Sequence, residues 1–378
     1  MKKKKIKFTP IIILLVLICL VFGTLAIFKD EFKKDLIDET DVPNNDKEDV
    51  QELSVTFTLA GNVLINSNMW TDTRNNDGSY NYKYVFEDLN NIMKKSNLNL
   101  YTQQSIIGGK ELGSSYGYDY NSPIDVGNEM LNIGFNMVSL ASYHSYDKGM
   151  TGINNSLNYW NEKNIVYSGI NNSSETKSNN IIEKNGIKIG LLSYTLNTDE
   201  NILENYAVNI YSEEKVKNDY DNLKKNVDIV IVSIDWSNSI NDITEQQENI
   251  VNYLSNLGVN IVVGNNSNSI LPIKIVNNTL VCYSLGNLLS GHSSIDSRIS
   301  AMVDFELKIK RTDDNDEISY NDINVLLTYA YNNYGNEYKV IPFSKIQDEL
   351  QDYTTYYEKY KKLLIDNNSD INIYSIGA

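Results

Sequence analysis

The chain has 378 residues, a formal net charge of −16 and 41% hydrophobic residues, with only two cysteines and two histidines. That apolar content excludes a disordered chain, and the acidic balance excludes nucleic acid as a partner held by the general field. Two histidines are too few to build an imidazole-rich metal centre.

Lys2, Lys3, Lys4, Lys5 and Lys7 precede an uncharged run from Ile11 to Phe28 that is just long enough to cross a bilayer. The apolar run is longer than a cleavable signal core, and Gly23-Thr24-Leu25-Ala26 makes a poor cleavage site, so residues 11–28 read as a transmembrane signal anchor. Positive flanks stay on the cytoplasmic side. Residues 1–10 are therefore expected in the cytoplasm and the rest outside the cell, a single-pass cell-membrane protein. Taking those five lysines from the total leaves −21 for everything after residue 7. Residues 29–53 are charged, carry Pro43 and show no apolar period, which reads as a linker. Cys19 lies in the membrane run and Cys282 in a strand-like run, so no disulfide pairs them.

From Leu53 onward strand-like runs alternate with helix-like segments, the pattern of an α/β fold. Four apolar runs end in polar clusters: Val55–Ala60 before Gly61-Asn62, Met137–Ala141 before Ser142-Tyr143-His144, Asp228–Ile234 before Asp235-Trp236, and Val259–Val263 before Gly264-Asn265-Asn266. Helices are predicted over Pro123–Ile133, stopped by Gly134, over Ser212–Asn226, and behind the Thr244–Gln247 capping box up to Gly258. Each leads into a strand, so right-handed βαβ crossovers are expected. Past Leu280 the runs 280–285, 299–310 and 325–331 suggest a second, mostly antiparallel sheet or the completion of a two-sheet sandwich. Residues 345–366 read as an amphipathic helix outside the main domain, followed by a frayed tail.

Ligands bind at the carboxyl ends of strands in open α/β sheets, so the polar tips should converge. They hold amides and hydroxyls: Asn62, Gln104, Ser142, Tyr143, Asn265, Asn266 and Asn268, with His144 and Asp235 as candidate catalytic groups. A dinuclear hydrolytic site needs a bridging carboxylate and imidazoles around two cations about 4 Å apart. Asp235 is the one carboxylate at these tips, so no metal cofactor is expected beyond a weak divalent cation on neutral oxygens. His144 has two readings, a hydrogen-bonded loop residue or a catalytic base, and His292 reads as solvated. Nucleophile-elbow, phosphate-loop and Cys-x-x-Cys motifs are absent. The cluster from Tyr116 to Tyr120 either lines a polymer surface or packs within its loop.

Over residues 54–345 the sequence resembles the CapA family of capsule-synthesis proteins, on Leu271–Asn287 ending in Tyr283-Ser284-Leu285-Gly286-Asn287 and on Gly134–Ala141 followed by His144, Asp147 and Gly149. The resemblance implies a four-layer α/β/β/α sandwich related to calcineurin-like metallophosphoesterases. It also implies that Asn62 stands for an aspartate, that Thr102-Gln103-Gln104 stands for Asn-Leu-Glu, and that Asp235 and Asn265–Asn268 stand for histidine-bearing blocks. His144 alone would remain of the metal ligands. The expectation is a divergent, non-catalytic, membrane-anchored member acting in the synthesis, export or retention of an extracellular polymer, by default poly-γ-glutamate. Its partners would be capsule-synthesis membrane proteins and, against charge repulsion, an anionic polymer. The alternatives are a metal-dependent hydrolase of phosphoester or amide bonds, and a surface ligand- or glycan-binding module.

Overall fold

Strand β1 (Gln51–Val63) takes in residues 51–53 of the expected linker, because antiparallel pairing opposite residues 303–311 carries the ladder back to Gln51. The computed structural model describes residues 50–376, apart from 116, 176–178, 238–240 and 313–314. The expected cytoplasmic segment, the apolar run 11–28 and the linker up to residue 49 lie outside these. Among the described residues no helix is long and apolar enough to cross a membrane.

The structure is mixed α/β with two sheets. Strands β1, β2 (Leu98–Gln103), β3 (Met137–Ser139) and β4 (Val166–Ser168) run parallel in one. A six-stranded sheet follows, made of β5 (Ile181–Lys184), β6 (Ile187–Thr195), β7 (Ile229–Asp235), β8 (Ile261–Asn265), β9 (Ile270–Val276) and β10 (Thr279–Leu285). Its order is β5-β6-β7-β8-β10-β9, with β6, β7, β8 and β10 parallel. The chain then returns to the first sheet through β11 (Asn287–Leu289), β12 (Ile299–Arg311), β13 (Asp316–Asn333), β14 (Asn336–Pro342) and β15 (Asn372–Ile373). The late β runs therefore do not form a sheet of their own. Residues 280–285 complete the second sheet, while 299–311 and 316–333 extend the first past β1.

Helices α1 (Ser67–Thr73), α2 (Ile124–Ile133), α3 (Gly149–Lys163), α4 (Glu213–Leu223), α5 (Glu245–Leu257) and α6 (Tyr353–Asn367) complete the elements used below. Helices α2, α3, α4 and α5 each join two parallel neighbours. Thr244 caps α5 with both legs of the box formed, its hydroxyl accepting from the Gln247 N–H and the Gln247 side chain from the Thr244 N–H.

Period-two alternation divides the strands between cores. Ile229 and Ile231 face a core shared with Phe57, Leu59 and Phe305 of the other sheet, while Val230, Val232 and Ile234 face α4 and α5. A third core lies between the first sheet and α2 and α3, around Tyr101, Met130, Leu157 and Trp160. Residues buried on both faces of β7 explain its unbroken Ile/Val run. Helix α6 starts at Tyr353, eight residues after the expected start, and Tyr357, Tyr360 and Leu364 enter the inter-sheet core. It belongs to the domain, as does the tail, where β15 pairs with β13. Apolar burial offsets helix ordering here at roughly 25 cal/mol per Å² removed from water.

Candidate functional site

Parallel strands share one polarity, so the ends of β1, β2 and β3 and those of β6, β7 and β8 open on one cleft of about 430 Å³. Gln104, Tyr143, His144, Asn266 and Asn268 line it, with Asp199 after β6 and His292 after β11. Asn62, Ser142, Asp235 and Asn265 are buried beneath the lining. Two of the tips also sit inside strands, since β1 runs through Gly61-Asn62 and β8 through Gly264-Asn265. Glycine is required in both. A Cβ on Gly61 would lie 2.0 Å from the Gly286 carbonyl, and one on Gly264 2.1 Å from the Tyr283 carbonyl.

A hydrogen-bonded chain crosses between the sheets. Gln104 Nε2 donates to Asn266 Oδ1 at 2.8 Å, and Asn266 Nδ2 donates to Asp235 Oδ1 at 3.1 Å. The Ser237 N–H and hydroxyl also donate to Oδ1, and the Tyr143 N–H donates to Oδ2 at 3.2 Å. Burial pushes the Asp235 carboxyl up from its ordinary pKa, and these donors act against that rise. Asn266 reaches its place from a left-handed backbone (φ 62°), which Asn tolerates better than most residues. Next to this chain, Asn62 Nδ2 donates to Asn287 Oδ1 and Asn287 Nδ2 to Asn268 Oδ1. Asn62 Oδ1, Gln104 Oε1 and Asn265 Oδ1 stay buried without a partner.

His144 lies at the rim. Its Nδ1 sits 2.9 Å from Asp147 Oδ2, which also accepts from the Tyr120 N–H, and the rings of Tyr120 and Tyr143 meet it edge-on. Tyr143 donates its hydroxyl to Asp199. His144, Asp147 and Asp199 each bring one ligand atom within 4.8 Å of the others. Asp147 Oδ1 is buried without a partner, and burial raises its carboxyl's pKa. The expectation of a solvated His292 fails: it is half-buried on the cleft wall, and burial with His144 nearby lowers its pKa. Asp199 sits in the polar cluster Asn197-Thr198-Asp199-Glu200-Asn201 that follows the apolar run of β6, a fifth strand tip beyond the four named from the sequence. The i, i+3 spacing from His144 could have flagged Asp147. Tyr118 and Tyr120 line the cleft, and Tyr116 lies outside the described residues.

A dinuclear metal centre does not fit this donor set. Asp235 accepts from Asn266, Ser237 and Tyr143, and the amides around it offer only neutral oxygens, of which Asn62 Oδ1, Gln104 Oε1 and Asn265 Oδ1 have no partner. One carboxylate without imidazoles beside it lacks the ligands two cations need. The rim group of His144, Asp147 and Asp199 could hold one divalent cation through one imidazole and two carboxylates.

A family model described as bacterial capsule synthesis protein PGA_cap matches residues 56–292. The chain is 27% identical over 195 residues to the PGA biosynthesis protein CapA of Bacillus subtilis (strain 168), covering 47% of this chain and 48% of that protein. It is 24% identical over 187 residues to the capsule biosynthesis protein CapA of Bacillus anthracis, covering 46% and 45% respectively. The aligned segment thus spans about half the length of each relative.

Proposed function

The chain belongs to the bacterial capsule synthesis protein family, and on that premise we propose that it serves the synthesis, export or retention of a capsule polymer as a non-catalytic scaffold or binding subunit. The observation that carries this reading is Asp235, the one carboxylate among the strand tips, which is buried and accepts four hydrogen bonds from the protein around it. The same reading takes the fold as a metallophosphoesterase-like four-layer sandwich, for which the two sheets and the helices packed on them are the support. Residues 11–28 would anchor the domain on the outer face of the membrane. Poly-γ-glutamate is the default polymer, since one relative is named for PGA biosynthesis. A body carrying −21 repels a polyanion, so contact with a membrane-bound partner of the synthesis machinery is favoured over bulk polymer capture.

The test is complementation of a strain lacking the gene. Polymer yield with His144→Ala should equal that of the wild type at matched membrane abundance, and yield at the deletion level would overturn the scaffold reading. Protein purified without chelator should carry less than about 0.1 equivalent of divalent metal.

The rim group favours a second reading, a hydrolase of phosphoester or amide bonds using one cation on His144, Asp147 and Asp199. It requires stoichiometric metal and turnover that His144→Ala abolishes. The three tyrosines at the cleft mouth support a third, a glycan- or ligand-binding module, which would show as a thermal shift with ligand and no turnover.

A further inference from the structure

His292 is shared between the amide cleft and a neighbouring cavity of about 210 Å³ that also exposes Asn68, Arg298 and Tyr338. No aspartate or glutamate lines that cavity. Arg298 belongs to no ion pair among the described residues, and its Nε is buried without a partner. The sequence holds two other arginines: Arg311 grips Asp228 and Asp316, and Arg74 is exposed. In a chain of net charge −16, an arginine left without a carboxylate is conspicuous. The Tyr329 ring lies 5.0 Å from its guanidinium carbon and covers one face of the group.

The rest of the wall is neutral, with the Asn68 amide, the Ser293 and Tyr338 hydroxyls and the His292 imidazole. The backbone N–H groups of Gly291, His292 and Ser293 meet no protein acceptor among the described residues. Gly291 lies so close to α1 that a Cβ would fall 1.8 Å from Asn66 Nδ2, and one on Gly335 (φ 87°) would fall 2.8 Å from Asn68 Nδ2. The acceptor Asn332 Oδ1 is already taken by the Gly335 N–H. The nearby carboxylate of Asp72 is occupied by the Tyr84 hydroxyl and the N–H groups of Glu337 and Tyr338. A pocket with one unpaired cation, neutral polar groups and no competing carboxylate has the polarity of an anion site.

We propose that this cavity binds an oxyanion, taking the carboxylate or phosphate group of a ligand on the Arg298 fork. The planar guanidinium matches either group through two parallel hydrogen bonds. Tyr334, 99% exposed at the β13–β14 turn, stands at the mouth as an apolar surface for whatever carries the group. Arg298, Asn332, Tyr334 and Tyr338 lie beyond the segment that the family model matches, whereas Asn68, Gly291 and His292 lie within it.

The test is titration calorimetry of the full-length protein in detergent at pH 7 and fixed ionic strength, with glutarate and with inorganic phosphate as separate probes. Saturable one-site binding of at least one probe is expected, and the two arms tell a carboxylate ligand from a phosphate one. Arg298→Gln should weaken binding at least about tenfold by removing the charge-assisted pair. Asn68→Asp, at an exposed position, should remove binding without unfolding by giving Arg298 an internal carboxylate. Arg74→Gln should leave it unchanged. No saturable heat with either probe in the wild type, or wild-type affinity in Asn68→Asp, overturns the proposal. If Arg298→Gln does not fold, Asn68→Asp alone decides.

Discussion

The amide cleft and the Arg298 cavity share His292 and differ in how their hydrogen bonds are balanced. In the cleft Asp235 receives four protein donors, and Gln104 and Asn266 pair in the same chain. In the cavity Arg298 Nε and three backbone N–H groups have no protein acceptor. The first is a structural seam between two sheets whose unpartnered atoms, Asn62 Oδ1, Gln104 Oε1 and Asn265 Oδ1, are neutral acceptors. The second keeps its donors ready for a ligand, because nothing inside the protein uses them. Removing a member of the first should therefore cost stability, whereas removing the central residue of the second should cost binding.

The largest effect should come from Asp235→Ala, which strands the Tyr143 and Ser237 N–H groups and Asn266 Nδ2. Relief of a buried carboxylate offsets part of that loss, and denaturant unfolding should still show about 3 kcal/mol of destabilisation. A loss below about 1 kcal/mol would mean that the seam does not hold the sheets together. Gln104→Ala removes one link and leaves Asn266 Oδ1 without its donor, so about 1–2 kcal/mol is expected by the same measurement. Arg298→Met should move stability by no more than about 1 kcal/mol either way, since a lost contact with Tyr329 is set against relief of an unpaired N–H. A cost like that of Asp235→Ala would erase the contrast between the two regions.

The smallest effect concerns pH. His292 has its folded pKa lowered by burial and by His144, with the cation of Arg298 in the same cavity. The unfolded chain then binds the proton more readily, so stability should fall as pH drops below about 6.5 through the folded value. His292→Gln should flatten that slope in unfolding midpoints measured between pH 7.5 and 5.5. An unchanged slope would place the titration elsewhere.

Local signals were legible in the sequence. The Thr244–Gln247 box formed both of its legs, and Gly258 and Gly134 end α5 and α2 as expected, because capping depends on residues a few positions apart. The strand runs were visible for the same reason. Site features were partly legible: residues 104, 143, 144, 266 and 268 reach one cleft because parallel strands must point the same way. Asp235 was visible as a carboxylate, though not as one sealed under the cleft floor. Asp199 was legible as a carboxylate in the polar cluster after β6 and was missed, whereas the shared wall of His292 depends on a loop brought in from a different strand.

By itself the sequence determined the α/β class, the strand ends and the amide content of the tips, all properties of short segments. Tertiary structure alone decided that residues 280–285 and 299–311 go to different sheets, that α6 closes the inter-sheet core, and that Arg298 has no carboxylate beside it. Register, burial and charge pairing join residues tens to hundreds of positions apart, and no local pattern encodes which distant group arrives.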